Sequence, residues 1–174
     1  MKLTRLSVYD IALISVFVAV IAVCSLITIP LGIPFTMQIF GVFLAIGVLG
    51  AKRSVVCVTA YLFLGAVGAP VFSSFQGGLH VLIGQTGGFL IGFVLSAIIT
   101  GLLIKRAGCK LVVTFLSMLV GLLVCYVCGI LWLVTAYRFE LLAAVAICAP
   151  LVIFDIIKVA FASAFSIKLR KFVR

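Results

Sequence analysis

The sequence predicts an all-α integral membrane protein with six transmembrane helices and both termini in the cytoplasm. Three observations carry that expectation. Of 174 residues, 67% are apolar, and the mean hydropathy of +1.55 is far above what a soluble core requires. The apolar residues fall into runs suited to crossing roughly 30 Å of hydrocarbon. The formal charge of +10 comes from 13 Lys and Arg against 3 Asp and Glu. These basic residues stand in short clusters between the apolar runs, where they mark topology and anchor helix ends rather than bind nucleic acid.

The first span, at about residues 8 to 27, is too long for the apolar stretch of a cleavable signal, and is expected to stay as a helix. Its small residues Ala12, Ser15, Ala19 and Ala22 share one face, which suits close contact with a helix inside or outside the chain. The second and third spans, at about 37 to 51 and 55 to 69, are short. The fourth, at about 87 to 104, follows the glycine-rich stretch GGLHVLIGQTGGFLIGF at 77 to 93. There Gly84, Gly88, Gly92, Ser96 and Thr100 recur every four residues, a ridge against which another helix can pack. The last two spans lie at about 111 to 134 and 142 to 167. No linker or low-complexity segment divides the chain, so residues 1 to 174 are expected to form one transmembrane domain.

Charge tests the count of six. Lys2, Arg5, Lys52, Arg53, Lys105, Arg106, Lys110, Lys168, Arg170, Lys171 and Arg174 all fall on one side of a six-span chain. The other connections hold only Arg138, accompanied by Glu140. The tendency of basic residues to stay inside then puts both termini in the cytoplasm.

Several function classes are disfavoured. Gly84-Gln-Thr-Gly-Gly88 lacks the Gly-Lys-Ser/Thr ending of a phosphate loop, so the chain is not expected to hydrolyse ATP. One histidine, His80, and no clustered carboxylates argue against a catalytic or metal centre. The six cysteines lie mostly in apolar runs, and read as reduced, small hydrophobic residues.

Asp155 and Lys158 are the strongest functional signal. Each costs roughly 2.5 to 3.5 kcal/mol at the centre of a lone inserted helix, so such charges face a cavity or a partner. Their i, i+3 spacing puts them on one helix face. With Pro150 in the first turn of the helix proper, Asp155 is expected about 8 Å below its outer end. An Asp acceptor beside a Lys donor suits a ligand with N–H groups next to a carbonyl, such as a urea or amide ring. An ion pair that merely orders the bundle fits the same spacing. Thr86, Gly87 and Gly88 stand at the outward-facing amino end of the fourth span. Bare backbone and a positive helix dipole there suit a ligand acceptor group.

Several stretches together resemble the BioY family, the biotin-binding S components of energy-coupling factor (ECF) transporters. They are IPLGIPFTMQIFGVFLA at 29 to 45, YLFLGAVGAPVF at 61 to 72, the glycine-rich stretch at 77 to 93, YVCGILWL at 126 to 133 and PLVIFDIIK at 150 to 158. Gln85 stands where the family usually has Pro, and Phe89 where it often has Tyr. The resemblance implies an S-component-like six-helix bundle with a biotin pocket near the outer face, covered by the connection between spans 1 and 2. It implies that Asp155 and Lys158 meet biotin's cyclic urea, and that Thr86, Gly87 and Gly88 with Pro34, Phe35, Thr36 and Gln38 form the matching motifs around the ligand. It also implies a membrane-embedded T component and two cytoplasmic ATP-binding cassette ATPases as partners. Ala12, Ser15 and Ala19 are the expected partner contact. A receptor for another small vitamin, or a small channel or structural subunit, are the alternatives.

Overall fold

The computed structural model describes residues 7–29 and 34–173. Lys2, Arg5, Arg174 and the motif residues at 30 to 33 lie outside them. Helix α1 (Val8–Leu26) opens with a reciprocal cap between Ser7 and Asp10 and buries one stripe, including Ile14, Phe17, Val18 and Ile21. A short antiparallel ladder follows, β1 (Thr28–Ile29) against β2 (Phe35–Thr36), pairing Thr28 with Thr36. Next come α2 (Gln38–Ala66), a 3₁₀ turn at Ser73–Phe75, and the short α3 (Leu79–Ile83). Helices α4 (Gly87–Ala107), α5 (Leu111–Ala136) and α6 (Leu141–Val173) complete the chain. Among the described residues five helices, α1, α2, α4, α5 and α6, are long and apolar enough to cross a membrane.

Helix α2 is not one rod. Gly50 breaks it with φ 74° and ψ 178°, a left-handed conformation that costs glycine little. Gln38 and Tyr61 are 23 residues apart, yet Gln38 Nε2 lies 2.9 Å from the Tyr61 hydroxyl. A continuous helix would separate them by about 35 Å, so the chain doubles back at Gly50. The runs 38–49 and 51–66 are therefore antiparallel, close to the two short spans expected from the sequence but with no loop between them.

Residues 41–49 are buried on every side. The first half of α2 is thus the centre of the bundle, flanked by α1, α4 and α6, while α4 also packs along α5. Small residues allow the close approach: Gly41 faces Cys24 and Ile21 of α1, and Gly47 faces Ser166 of α6 and Met118 of α5. The ridge on α4 packs onto α5, where Ser96 donates to the Gly121 carbonyl at 2.6 Å and Thr100 to that of Ser117 at 3.3 Å.

The basic turns share one end of the bundle. Arg53, beyond the reversal, pairs with Asp10 at 2.6 Å, and the Tyr9 hydroxyl reaches the Val173 carbonyl at 3.4 Å. Gly101, near the end of α4, lies against Ala51. Helix α6 departs from expectation at Pro150. The helix begins at Leu141 and runs through the proline, so Asp155 sits about 21 Å from the helix start instead of about 8 Å. Proline forfeits one backbone hydrogen bond and crowds the preceding turn, but its ring is exposed and membrane helices tolerate such a loss.

Candidate functional site

Opposite the basic end, a cavity of about 60 Å³ opens between the β2 segment, α2, α4, α5 and α6. Its wall is largely apolar, with Phe72, Phe89, Leu90 and Phe93 among the lining residues. The charged groups at this wall both come from α6. Asp155 and Lys158 are only 3% and 6% exposed, and Lys158 Nζ lies 2.6 Å from Asp155 Oδ1. The same nitrogen donates to the Thr36 carbonyl at 2.7 Å and stands 3.6 Å from the centre of the Phe35 ring. A lysine ammonium has three hydrogens. These three neighbours account for them, and they tie β2 to α6. The other carboxylate oxygen, Asp155 Oδ2, accepts from the Tyr126 hydroxyl at 2.6 Å.

Burying a lone charge costs several kcal/mol; here the pair cancels its charge, and a cation–π contact and two further hydrogen bonds offset the remaining desolvation. What results is an anionic acceptor at the cavity wall beside a cationic donor held just behind it. Such an arrangement can bind a neutral ligand carrying both N–H and C=O groups.

Of the nine ligand-contact residues expected from the sequence, Pro34, Phe35, Thr36, Gln38, Thr86 and Asp155 line the cavity. Lys158 is not among the lining residues but reaches them through Asp155 and Thr36. It also borders a wider apolar groove between β2, α2 and α6 that Phe40, Phe161 and Phe165 help to line. Gly87 and Gly88 are buried away from the cavity. A Cβ at Gly87 would run into the Leu82 carbonyl, and one at Gly88 into Trp132 and the Cys128 carbonyl. These glycines let α4 seat against α3 and α5. Trp132 Nε1 donates to the Gly84 carbonyl at 3.0 Å and the Tyr137 hydroxyl to that of Ile83 at 2.9 Å, which pins the turn carrying Thr86. On α1, Ala12, Ser15 and Ala19 are exposed, so internal packing does not use that face. His80 is also exposed, on α3.

Tyr126 and Ser73 line the cavity without having been assigned a role from the sequence. Tyr126 lies in one of the stretches that carry the family resemblance, but nothing in its spacing points toward a carboxylate on another helix. Ser73 precedes Ser74 and Phe75, both with left-handed backbones at φ 57° and 58°, a local turn that composition does not reveal.

Comparison with known proteins identifies the family and the fold. A family model described as BioY family matches residues 1–174. The chain is 40% identical over 158 residues to a biotin transporter BioY of Thermotoga maritima, covering 90% of this chain and 92% of that one. It is 36% identical over 152 residues to a probable biotin transporter BioY of Pyrococcus horikoshii, covering 87% and 90%. A crystal structure of the S-component for biotin from an ECF-type ABC transporter superposes with a TM-score of 0.88 at 25% identity, covering 94% of this chain and 92% of the other. With the match running the whole length of the sequence, the chain belongs to the BioY family.

Proposed function

We propose that this chain is the biotin-capturing S component of an ECF-type uptake transporter. The observation that carries this reading is the buried Asp155–Lys158 pair at the wall of an otherwise largely apolar cavity. Biotin's cyclic urea presents N–H groups beside a carbonyl, the complement of an anionic acceptor and a cationic donor. Asp155 accepts a ureido N–H, and Lys158 donates to the ureido oxygen in place of its bond to the Thr36 carbonyl. Pro34, Phe35, Thr36 and Gln38 contribute the wall from the α1–α2 connection, and Thr86 that from the start of α4. Gly87 and Gly88 act one step removed, by seating that helix end.

The chain sits in the cell membrane as one domain, as six spans if each half of α2 counts as one. The halves are short: twelve residues, 38–49, rise about 18 Å, against roughly 30 Å of hydrocarbon. The basic end faces the cytoplasm, so the termini are inside and the cavity opens toward the outer face of a prokaryotic plasma membrane. ATP hydrolysis is supplied by two cytoplasmic ATP-binding cassette ATPases through a membrane-embedded T component. The exposed small face of Ala12, Ser15 and Ala19 suits a close helix contact with that component. No cofactor is required, because biotin is the cargo.

The deciding measurement is equilibrium binding of labelled biotin to the purified chain in detergent. Saturable binding at one site per chain, competed by unlabelled biotin and not by other small vitamins, is the expected result. A folded chain that prefers another vitamin would keep the architecture and overturn the ligand; one with no saturable ligand would point to a structural subunit.

A further inference from the structure

Gln38 owes its place at the cavity wall to a partner outside the cavity. Tyr61, on the second half of α2, is fully buried and meets Phe72 edge-on with ring centres 5.6 Å apart. Its hydroxyl donates to the Val71 carbonyl at 2.9 Å, and the Ser25 hydroxyl of α1 donates to the same oxygen. A carbonyl can only accept, so the Tyr61 hydroxyl is the donor in its contact with Val71. The phenolic oxygen is then left as an acceptor, and Gln38 Nε2 donates to it at 2.9 Å.

This chain of donors supports the amide as it stands, with Nε2 toward Tyr61. Turning Gln38 over would draw the Tyr61 hydrogen onto Gln38 Oε1 and off the Val71 carbonyl, which would keep only Ser25 as a donor. Gln38 Oε1 therefore points away from Tyr61, and among the described residues it has no hydrogen-bond donor, while the side chain lines the cavity.

We propose that Tyr61 is a positioning residue for ligand specificity: by accepting from Gln38 Nε2 and donating to Val71, it holds Gln38 as an acceptor toward the cavity. The site then selects a ligand that offers an N–H there. This rests on the biotin reading above, and deepens it. Asp155 and Gln38 supply two acceptors for the two N–H groups that flank the ureido carbonyl, and Lys158 supplies the donor between them.

The test is a double-mutant cycle read by biotin binding, with melting temperatures confirming folded protein. Tyr61→Phe keeps the ring against Phe72 and removes the hydroxyl; Gln38→Met keeps the side-chain length and removes the amide. Tyr61→Phe is expected to weaken binding about tenfold, the scale of one hydrogen bond. In the Gln38→Met background it is expected to add nothing, because it acts only through that amide. A purely structural role would instead lower affinity by the same factor in both backgrounds, and that result overturns the proposal, as does parental affinity in Tyr61→Phe. A second measurement needs no Tyr61 variant. The parent should reject both mono-N-methyl ureido isomers of biotin, and Gln38→Met should relax the rejection of one isomer only; unchanged rejection of both also overturns the proposal. A folded parent that fails to bind biotin overturns this inference together with the reading beneath it, whereas binding with additive variants overturns this inference alone.

Discussion

Tyr126 of α5 donates its phenolic hydrogen to Asp155 Oδ2 of α6 at 2.6 Å, on the opposite carboxylate oxygen from the one held by Lys158. The two contacts together fix the plane of the carboxylate at the cavity wall. Carbon neighbours hold the ring of Tyr126 as well, through the edge-on contact with Phe89 at 5.8 Å between ring centres.

Removing that hydroxyl is the mildest change that frees Asp155 to rotate. Tyr126→Phe preserves the contact with Phe89 and deletes one hydrogen bond to a charged group, a loss of about 1.5 to 3 kcal/mol. Biotin affinity should fall roughly 10- to 100-fold with folding intact, measured by equilibrium binding beside a thermal melt. Parental affinity would mean that Lys158 alone orients the carboxylate.

Breaking the ion pair should cost more than deleting it. Asp155→Asn leaves the Lys158 ammonium without its counter-charge, and Lys158→Met leaves the carboxylate without one; each should destabilise the protein by about 3 to 5 kcal/mol and abolish measurable biotin binding. In the double variant no uncompensated charge remains, so the melting temperature should recover toward the parent while binding stays lost. Recovery of both properties would show that the pair only orders the bundle.

Gly88 separates a packing role from a ligand role. A Cβ there meets Trp132 Cβ and the Cys128 carbonyl, 2.7 Å away, neither of which can swing aside. Gly88→Ala should therefore lower the melting temperature and the fraction of chains that bind, with near-parental affinity in those that do. The opposite pattern, a parental melt with weakened binding, would bring the glycine into contact with the ligand.

The exposed face of α1 predicts a loss confined to assembly. Ala12 and Ala19 touch solvent or lipid in the isolated chain, so Trp at both positions should leave biotin binding unchanged while preventing close approach of a partner helix. ATP-dependent uptake and co-purification of the T component should both disappear. Continued co-purification would move the partner surface to another helix.

Hydropathy and charge by themselves determined that this is a membrane protein of apolar helices with its basic turns at one end. They could do so because hydrocarbon leaves backbone groups outside a helix unpaired, and penalises charge most at the middle of a span. The i, i+3 spacing likewise made Asp155 and Lys158 a pair before any neighbour was known, since a helix places such residues side by side. The neighbours themselves are a property of the tertiary structure. Tyr126 is 29 residues from Asp155 and Thr36 is 122 from Lys158, and no local periodicity links residues on different helices. The contact of Gln38 with Tyr61 exists only because Gly50 reverses the chain between them. Gly87 and Gly88 show the same division. Their lack of a side chain was plain in the sequence, but whether the space belongs to a ligand or to Trp132 and Leu82 depended on how α4 packs against α5 and α3.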